Sequence, residues 1–138
     1  TKKIGWTINQ VVTLASIIEK EAKLDEEKPL VSAVYHNRLK IGMPLQADPT
    51  AIYGIKRYKE GVTKKDLKNK SPYNTYLVKG LPPGPIASPG LKSILAALSP
   101  AKVSYLYFVS RGDGSHEFSV DYKTHVAIIN QLRGNKVD

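Results

Sequence analysis

Two acidic residues, Glu19 and Glu21, follow a strongly apolar stretch near the start of the chain. A carboxyl group can donate a proton to a leaving oxygen when its surroundings keep it protonated near neutral pH. Partial removal from water has this effect, because it disfavours the charged form of the acid. The acid that the fold turns towards apolar surroundings is therefore the better candidate for general acid chemistry.

The apolar spacing before these acids predicts a helix over residues 7–24, with Thr7 as its N-cap. Successive helical residues rotate by about 100°, which places the apolar side chains on one broad face. Glu19 lies inside this apolar arc, with alanines on the neighbouring turns, whereas Glu21 lies just outside it. The pattern predicts a partly desolvated, protonated Glu19, and a Glu21 that pairs with a cation or faces solvent.

Helix geometry alone leaves a second interpretation of Glu19 open. Lys23 follows one turn later, in position for an ion pair. A surface pair of this kind stabilises a helix by only about 0.2–0.5 kcal/mol. An acid at the edge of an apolar stripe is more often paired with a cation than catalytic, so the spacing permits both roles.

The rest of the chain predicts an α+β fold, mainly helical with one small antiparallel β-hairpin, in a single domain over residues 1–138. Further helices are expected over 28–41, from Asp48 to Gly54, from a capped turn at Thr63–Asp66, over 89–98 starting at Ser88-Pro89, and over 121–132. Strands are expected over 104–109 and 115–120. Residues 71–90 hold five of the nine prolines and predict a long loop, which in a compact domain is usually functional.

Composition restricts the functional classes. The formal net charge of +9 favours polyanionic neighbours such as nucleic acid, anionic lipid or an anionic cell wall. The absence of cysteine excludes disulfides, thiolate catalysis and cysteine zinc sites. The histidines lack metal-binding spacing and no phosphate-binding glycine loop is present, so neither a metal nor a cofactor is predicted.

Several long segments together resemble the YceG-like family of endolytic murein transglycosylases. They are LASIIEKEA (14–22), YHNRLKIGMPLQADPTAIYG (35–54), YNTYLVKGLPPGPIASPG (73–90) and YLYFV (105–109), followed by His116 and Phe118. The resemblance covers most of the chain, in the family's order. It implies cleavage of the β-1,4 bond between N-acetylmuramic acid and N-acetylglucosamine within glycan strands. The product would carry a 1,6-anhydro-muramic end, which makes the enzyme a lyase.

The resemblance also implies that Glu19, the first acid of the Glu-Lys-Glu stretch, is the single catalytic carboxyl. As an acid it would protonate the glycosidic oxygen. As a base it would then take the proton of the muramic C6 hydroxyl, which attacks C1. This scheme needs neither water nor the second carboxylate of most glycosidases. A lysozyme-like architecture around the glutamate is a further implication.

Amide, hydroxyl and aromatic side chains in these segments are suited to binding sugars. The candidates are Gln46, Asp48, Tyr53, Tyr73, Asn74, Thr75, Tyr76 and His116. Simpler roles are an N-cap for Asp48 and core packing for Tyr53. The run of proline and glycine over 81–90 is expected to stiffen the cleft wall.

The chain begins at Thr1 without Met and is expected to be a fragment of a longer protein. The resemblance implies an N-terminal membrane helix and a LysM-like module before this domain, with the domain itself soluble and extracytoplasmic. Expected partners are glycan strands and the wall-synthesis machinery, not nucleic acid. Alternative functions are a non-catalytic peptidoglycan-binding module, a hydrolase that yields reducing ends, and a nucleic-acid-binding domain, for which no motif is present.

Overall fold

The computed structural model describes residues 4–55 and 61–137. Within these ranges five α-helices and one two-stranded sheet form an α+β fold, as predicted. The helices are α1 (Ile8–Glu21), α2 (Lys28–Lys40), α3 (Asp48–Ala51), α4 (Leu91–Leu98) and α5 (Tyr122–Val137); the strands are β1 (Tyr107–Ser110) and β2 (His116–Ser119). Short 3-10 helices cover Asp25–Glu27 and Asp66–Lys68. None of the described helices is long and apolar enough to cross a bilayer.

Helix α1 is the centre of the core. It begins at a capping box in which Thr7 and Gln10 bond each other's backbone N–H, so the predicted N-cap is confirmed. Leu14, Ile17 and Ile18 have no exposed surface, and each contributes about 1.5–3 kcal/mol through burial. They pack between α2 and α4. The helix ends where the backbone becomes extended at its C-cap, Ala22.

Helix α2 has the start and the stop that its sequence predicts. Pro29 occupies the first turn, where its missing N–H costs no helical hydrogen bond. Gly42 has a φ of 72°, and the Met43 N–H turns back to the Arg38 carbonyl at 2.9 Å. A side chain is strained at such a φ, which explains why glycine ends this helix.

The β-hairpin packs along α2 and is shorter than predicted. The side-chain amide of Asn37 donates to the carbonyls of Val103 at 3.0 Å and Tyr105 at 2.8 Å. These carbonyls are therefore held by a helix side chain rather than by a neighbouring strand, and β1 begins only at Tyr107. In the antiparallel register Tyr107 faces Ser119 and Ser110 faces His116.

Two predicted helix caps are wrong. Helix α3 takes Ala47 as its N-cap and ends at Ala51, before Gly54, while Asp48 makes no capping bond. Helix α4 begins after Gly90 rather than at Ser88-Pro89. In the second case no side chain caps the helix, and the N–H of its N-cap, Gly90, donates to a carboxylate of α1.

The loop over residues 71–90 contains turns and bends rather than a helix or strand, and it is held from inside by Asn74. This side chain is fully buried. Its amide nitrogen donates to the carbonyls of Leu67 at 3.1 Å and Asn69 at 2.7 Å, and its amide oxygen accepts the Tyr76 N–H at 3.0 Å. Thr75 adds a buried bond from the Ala47 N–H at 2.9 Å. The loop is therefore built to hold Tyr76 in one place.

Replacing Asn74 with alanine is expected to destabilise the fold by about 2–3 kcal/mol, because it leaves buried backbone groups without partners. Urea unfolding followed by circular dichroism measures the change. Asn9→Ala serves as the control, since Asn9 makes one bond at an exposed position, to the Pro83 carbonyl, and should cost less than about 1 kcal/mol. Equal stability of both variants would contradict an internally anchored loop.

Candidate active site

A cleft of about 600 Å³ lies where the end of α1, the start of α3 and the β1–β2 hairpin meet. Both acidic and basic groups reach its wall. The polar side chains that matter for its chemistry are Glu21, Arg38, Gln46, Asp48, Tyr76 and His116. A volume of this size lies within the range of small-ligand sites.

Glu21, the last residue of α1, is a half-buried acid in this cleft. Burial raises the pKa of its carboxyl to about 8, and the negative charge of Asp48 acts in the same direction. The backbone N–H of Asp48, which donates to the carboxyl, and the cation of Arg38 oppose this shift. The carboxyl is therefore mainly protonated at neutral pH, the state that a general acid requires.

Glu19 has the opposite environment, and the prediction of a protonated Glu19 is wrong. Its Oε1 accepts the Gly90 N–H at 2.9 Å and the Ser93 hydroxyl at 2.8 Å, and lies 3.6 Å from the Lys28 ammonium. The Gly90 bond and then the Ser93 bond lower the pKa of the Glu19 carboxyl; burial opposes them, and Lys28 lowers the pKa by a smaller amount. Glu19 joins α1 to the start of α4 and does not line the cleft.

The apolar arc of α1 correctly predicted that the face carrying Glu19 is covered by another segment. It did not predict that this segment supplies hydrogen-bond donors. The α1 face that carries Glu19 packs against α4, and the first turn of α4 supplies hydrogen-bond donors that favour a carboxylate. Glu21 lies outside the arc, yet Asp48 at the start of α3 encloses it. Since α3 comes much later in the chain, no periodicity within α1 could reveal this contact.

Replacing Glu19 with glutamine is expected to lower stability by about 1 kcal/mol at neutral pH, since charge-assisted bonds are lost from a partly exposed group. The Glu19 pKa is lowered in the folded state, so its contribution is present above the reference value of 4.5. It disappears as the pH falls through the lowered pKa. Urea unfolding between pH 3 and 8 measures both effects. Exposed Glu26→Gln is the control, and a pH-independent difference between Glu19→Gln and the parent would contradict this account.

Asp48 and Tyr76 form a hydrogen-bonded pair in the cleft wall. The Tyr76 hydroxyl donates to Asp48 Oδ1. Burial, followed by the bond to Asp48, raises the pKa of Tyr76, which keeps it protonated as a donor. The bond uses the Asp48 carboxylate that was expected to cap α3, and it fixes a negative charge next to Glu21.

Gln46 lies in the same wall with an unusual backbone. Its φ of 51° is the one positive value at a non-glycine residue among those that the structure describes. Its side chain is exposed and lines the cleft. Backbone strain of this kind is concentrated at functional sites, so the conformation supports a role for Gln46 in ligand contact.

Four of the predicted sugar-binding residues do not reach the cleft wall. Tyr53 and Tyr73 pair with each other, with ring centroids 4.6 Å apart, and Tyr53 is 41% exposed. Asn74 and Thr75 are buried and hold the loop. The cleft therefore brings together Gln46, Asp48, Tyr76 and His116 from the predicted set.

Arg38 is a buried cation in the cleft wall that was not among the predicted site residues. Its guanidinium donates to the carbonyls of Leu106 and Leu45 and lies 5.4 Å from the centre of the Tyr107 ring. These contacts join α2 to the hairpin and to the segment before α3. They also place a fixed positive charge close enough to Glu21 to lower its pKa. Arg38 lies at an ordinary position within α2, so the sequence around it did not indicate this role.

The fold is that of a known structural class. A crystal structure of a YceG-like protein from Listeria monocytogenes matches it with a TM-score of 0.84 at 41% sequence identity, over 91% of this chain and 40% of that one. The sequence matches the YceG-like family over residues 1–131. The chain belongs to the YceG-like family.

Two relatives carry a name that states an activity. The chain is 44% identical over 124 residues to an endolytic murein transglycosylase of Bacillus subtilis (strain 168), a match that covers 90% of this chain and 34% of that protein. It is 36% identical over 114 residues to an endolytic murein transglycosylase of Streptococcus pneumoniae serotype 2 (strain D39), which covers 79% of this chain and 21% of that protein. The chain thus spans about a third of the first relative and less of the second.

Proposed function

We propose that this domain is a peptidoglycan lytic transglycosylase in which Glu21 is the acid and base. It cleaves the β-1,4 bond between N-acetylmuramic acid and N-acetylglucosamine within glycan strands and leaves 1,6-anhydro-muramic ends. The observation that carries the proposal is the Glu21 carboxyl, with a pKa raised to about 8, in a cleft of about 600 Å³. Relatives named as endolytic murein transglycosylases support the substrate class.

The reaction uses one carboxyl group twice. Protonated Glu21 gives its proton to the glycosidic oxygen as the bond from that oxygen to muramic C1 breaks. The resulting carboxylate then takes the proton of the muramic C6 hydroxyl while O6 bonds to C1. Glu21 is therefore protonated again at the end of the reaction. Neither water nor a second nucleophilic carboxylate takes part, in contrast to most glycosidases.

The neighbours of Glu21 serve the two halves of this cycle differently. The fixed charge of Asp48 favours the protonated acid and would also stabilise positive charge that develops at C1. Arg38 acts on Glu21 in the opposite direction, which stabilises the carboxylate formed after the first proton transfer. A general acid that must also act as a base works best with a pKa near the working pH.

Product analysis tests this proposal against its rivals. Purified peptidoglycan sacculi are digested in water enriched in ¹⁸O, and the fragments are identified by mass spectrometry. We expect anhydro-muramic ends that contain no ¹⁸O. Reducing ends that contain ¹⁸O would instead identify a hydrolase. Binding to sacculi without any cleavage would identify a non-catalytic binding module.

The proposed substrate also determines where in the cell the protein must act. A domain that cleaves glycan strands must act outside the cytoplasmic membrane, and we propose that the full-length protein is anchored there by an N-terminal membrane helix and works beside the wall-synthesis machinery. The formal net charge of +9 is suited to an anionic wall. Fractionation of cells that express the full-length protein would test this location: recovery from the cytosol would contradict it.

A further inference from the structure

Glu27 and His116 form a buried pair at the edge of the cleft. Glu27 is the last residue of a 3-10 helix before α2, and His116 opens β2. The imidazole Nδ1 lies 2.8 Å from Glu27 Oε1, and the His116 backbone N–H donates to Glu27 Oε2 at 3.1 Å. Glu27 is 9% exposed and His116 is 8% exposed, so this interaction is almost fully removed from water.

Only one member of this pair belongs to the cleft. His116 lines the cleft, whereas Glu27 does not. A carboxylate that accepts from the backbone N–H and from the ring fixes the proton of the imidazole on Nδ1. Both bonds of His116 to Glu27 use its backbone N–H and Nδ1, and the second ring nitrogen, Nε2, has no hydrogen bond to the residues whose side chains the structure describes, 4–55 and 61–134.

The surroundings leave the ring little freedom to turn. Phe108 lies nearly perpendicular to the imidazole, with ring centroids 5.3 Å apart, and the Phe118 ring is tilted against it at 6.2 Å. Both phenylalanines pack against the core. Two aromatic rings and a carboxylate therefore hold a polar ring whose remaining nitrogen has no hydrogen bond to the described side chains. Nε2 is not one of the buried side-chain atoms without a partner in the described part of the chain, so on the cleft wall it is open to a bond from a ligand or from water.

We propose that Glu27 is a positioning residue, which holds His116 so that its Nε2 hydrogen-bonds a sugar hydroxyl of a glycan strand in the cleft. This inference rests on the proposed function. A hydroxyl both donates and accepts, so it matches Nε2 with or without a proton. Glu27 never touches the strand; it acts through the orientation and the proton position of the imidazole.

Two substitutions of His116 separate binding from structure. The amide of Asn reaches the place of Nδ1 and keeps the contact to Glu27, but it leaves nothing at Nε2. The amide of Gln reaches the place of Nε2. Both are made in the non-cleaving Glu21→Gln parent, and binding of a soluble tetrasaccharide of alternating N-acetylglucosamine and N-acetylmuramic acid is measured by calorimetry.

We expect His116→Asn to fold normally and to bind the tetrasaccharide about tenfold more weakly, because the loss of one hydrogen bond lowers affinity by about that factor. His116→Gln should recover part of that loss. Unchanged affinity in folded His116→Asn would overturn the proposal. If the parent itself did not bind the tetrasaccharide, the proposed function would be overturned together with this inference. If the wild-type domain cleaved glycan strands but His116→Asn had no effect, only this inference would be overturned.

Glu27→Gln provides a spectroscopic test. A glutamine amide can donate to Nδ1, so it permits the tautomer that carries its proton on Nε2. We expect the ¹⁵N shifts of the His116 ring to show a protonated Nδ1 in the parent and a loss of that state in Glu27→Gln, with about tenfold weaker binding. Adding His116→Asn should cause no further loss. Exposed Glu26→Gln is the matched control. Unchanged ring shifts, or additive losses, would contradict a positioning role.

Discussion

Glu21→Gln is expected to abolish the release of anhydro-muropeptides from sacculi, with a loss of at least about 10²–10⁴-fold. Glutamine keeps the shape of the side chain but has no proton to give at the glycosidic oxygen. It also cannot take the proton of the C6 hydroxyl, so both halves of the cycle fail. Mass spectrometry of digests over a range of enzyme concentrations measures the loss.

Glu19→Gln is the matched control for Glu21→Gln, because it changes the other acid of the same helix end. Its carboxylate bonds Gly90 and Ser93 rather than lining the cleft, so we expect most of the activity to remain. The opposite ranking, with activity lost in Glu19→Gln and kept in Glu21→Gln, would return the catalytic role to Glu19.

Loss of the fold can be separated from loss of chemistry in Glu21→Gln. The Glu21 pKa is raised in the folded state from 4.5 to about 8, so its contribution to stability is complete below pH 4.5 and is lost as the pH rises through about 8. Above that pH the parent carries a charge on the half-buried Glu21 that the variant lacks. We therefore expect Glu21→Gln to be at least as stable as the parent in alkaline solution.

Local signals predicted the helices well because they act within one element. The Thr7 capping box, Pro29 in a first turn and Gly42 at a left-handed position each bond or shape the adjacent backbone. The side chains of Thr63 and Asp66 likewise accept each other's backbone N–H, at 3.2 and 2.9 Å. Features of this kind are visible in a few consecutive residues, and the structure contains them as expected.

The chemistry of the site depends on contacts between distant segments, and the sequence predicted these contacts less well than it predicted the helices. Glu19 and Glu21 differ because α4 covers the first and the start of α3 encloses the second. The partner of His116 is Glu27, which lies in a different element and gave no pattern. Residue type indicated which groups could act, but only the fold determines which acid keeps its proton.

The pH dependence of cleavage gives a second large effect. We expect the rate to fall as the pH rises through about 8, because the Glu21 pKa is about 8 and the acid is lost above it. Asp48 raises that pKa through its charge, so Asp48→Asn should move the alkaline limb down by about one pH unit or more. Initial rates of release of soluble fragments from labelled sacculi between pH 5 and 10 measure the limb.

Tyr76→Phe is the matched control for Asp48→Asn, since it breaks the same hydrogen bond but leaves the carboxylate charge in place. Its rate is expected to fall while the alkaline limb stays near that of the parent. If the limb moved equally in both variants, the hydrogen bond rather than the charge of Asp48 would control the Glu21 proton. If it moved in neither, a group other than Glu21 would be the acid, because no neighbouring charge could then change its titration. The position of the limb therefore tests the identity of the acid independently of the size of the activity loss.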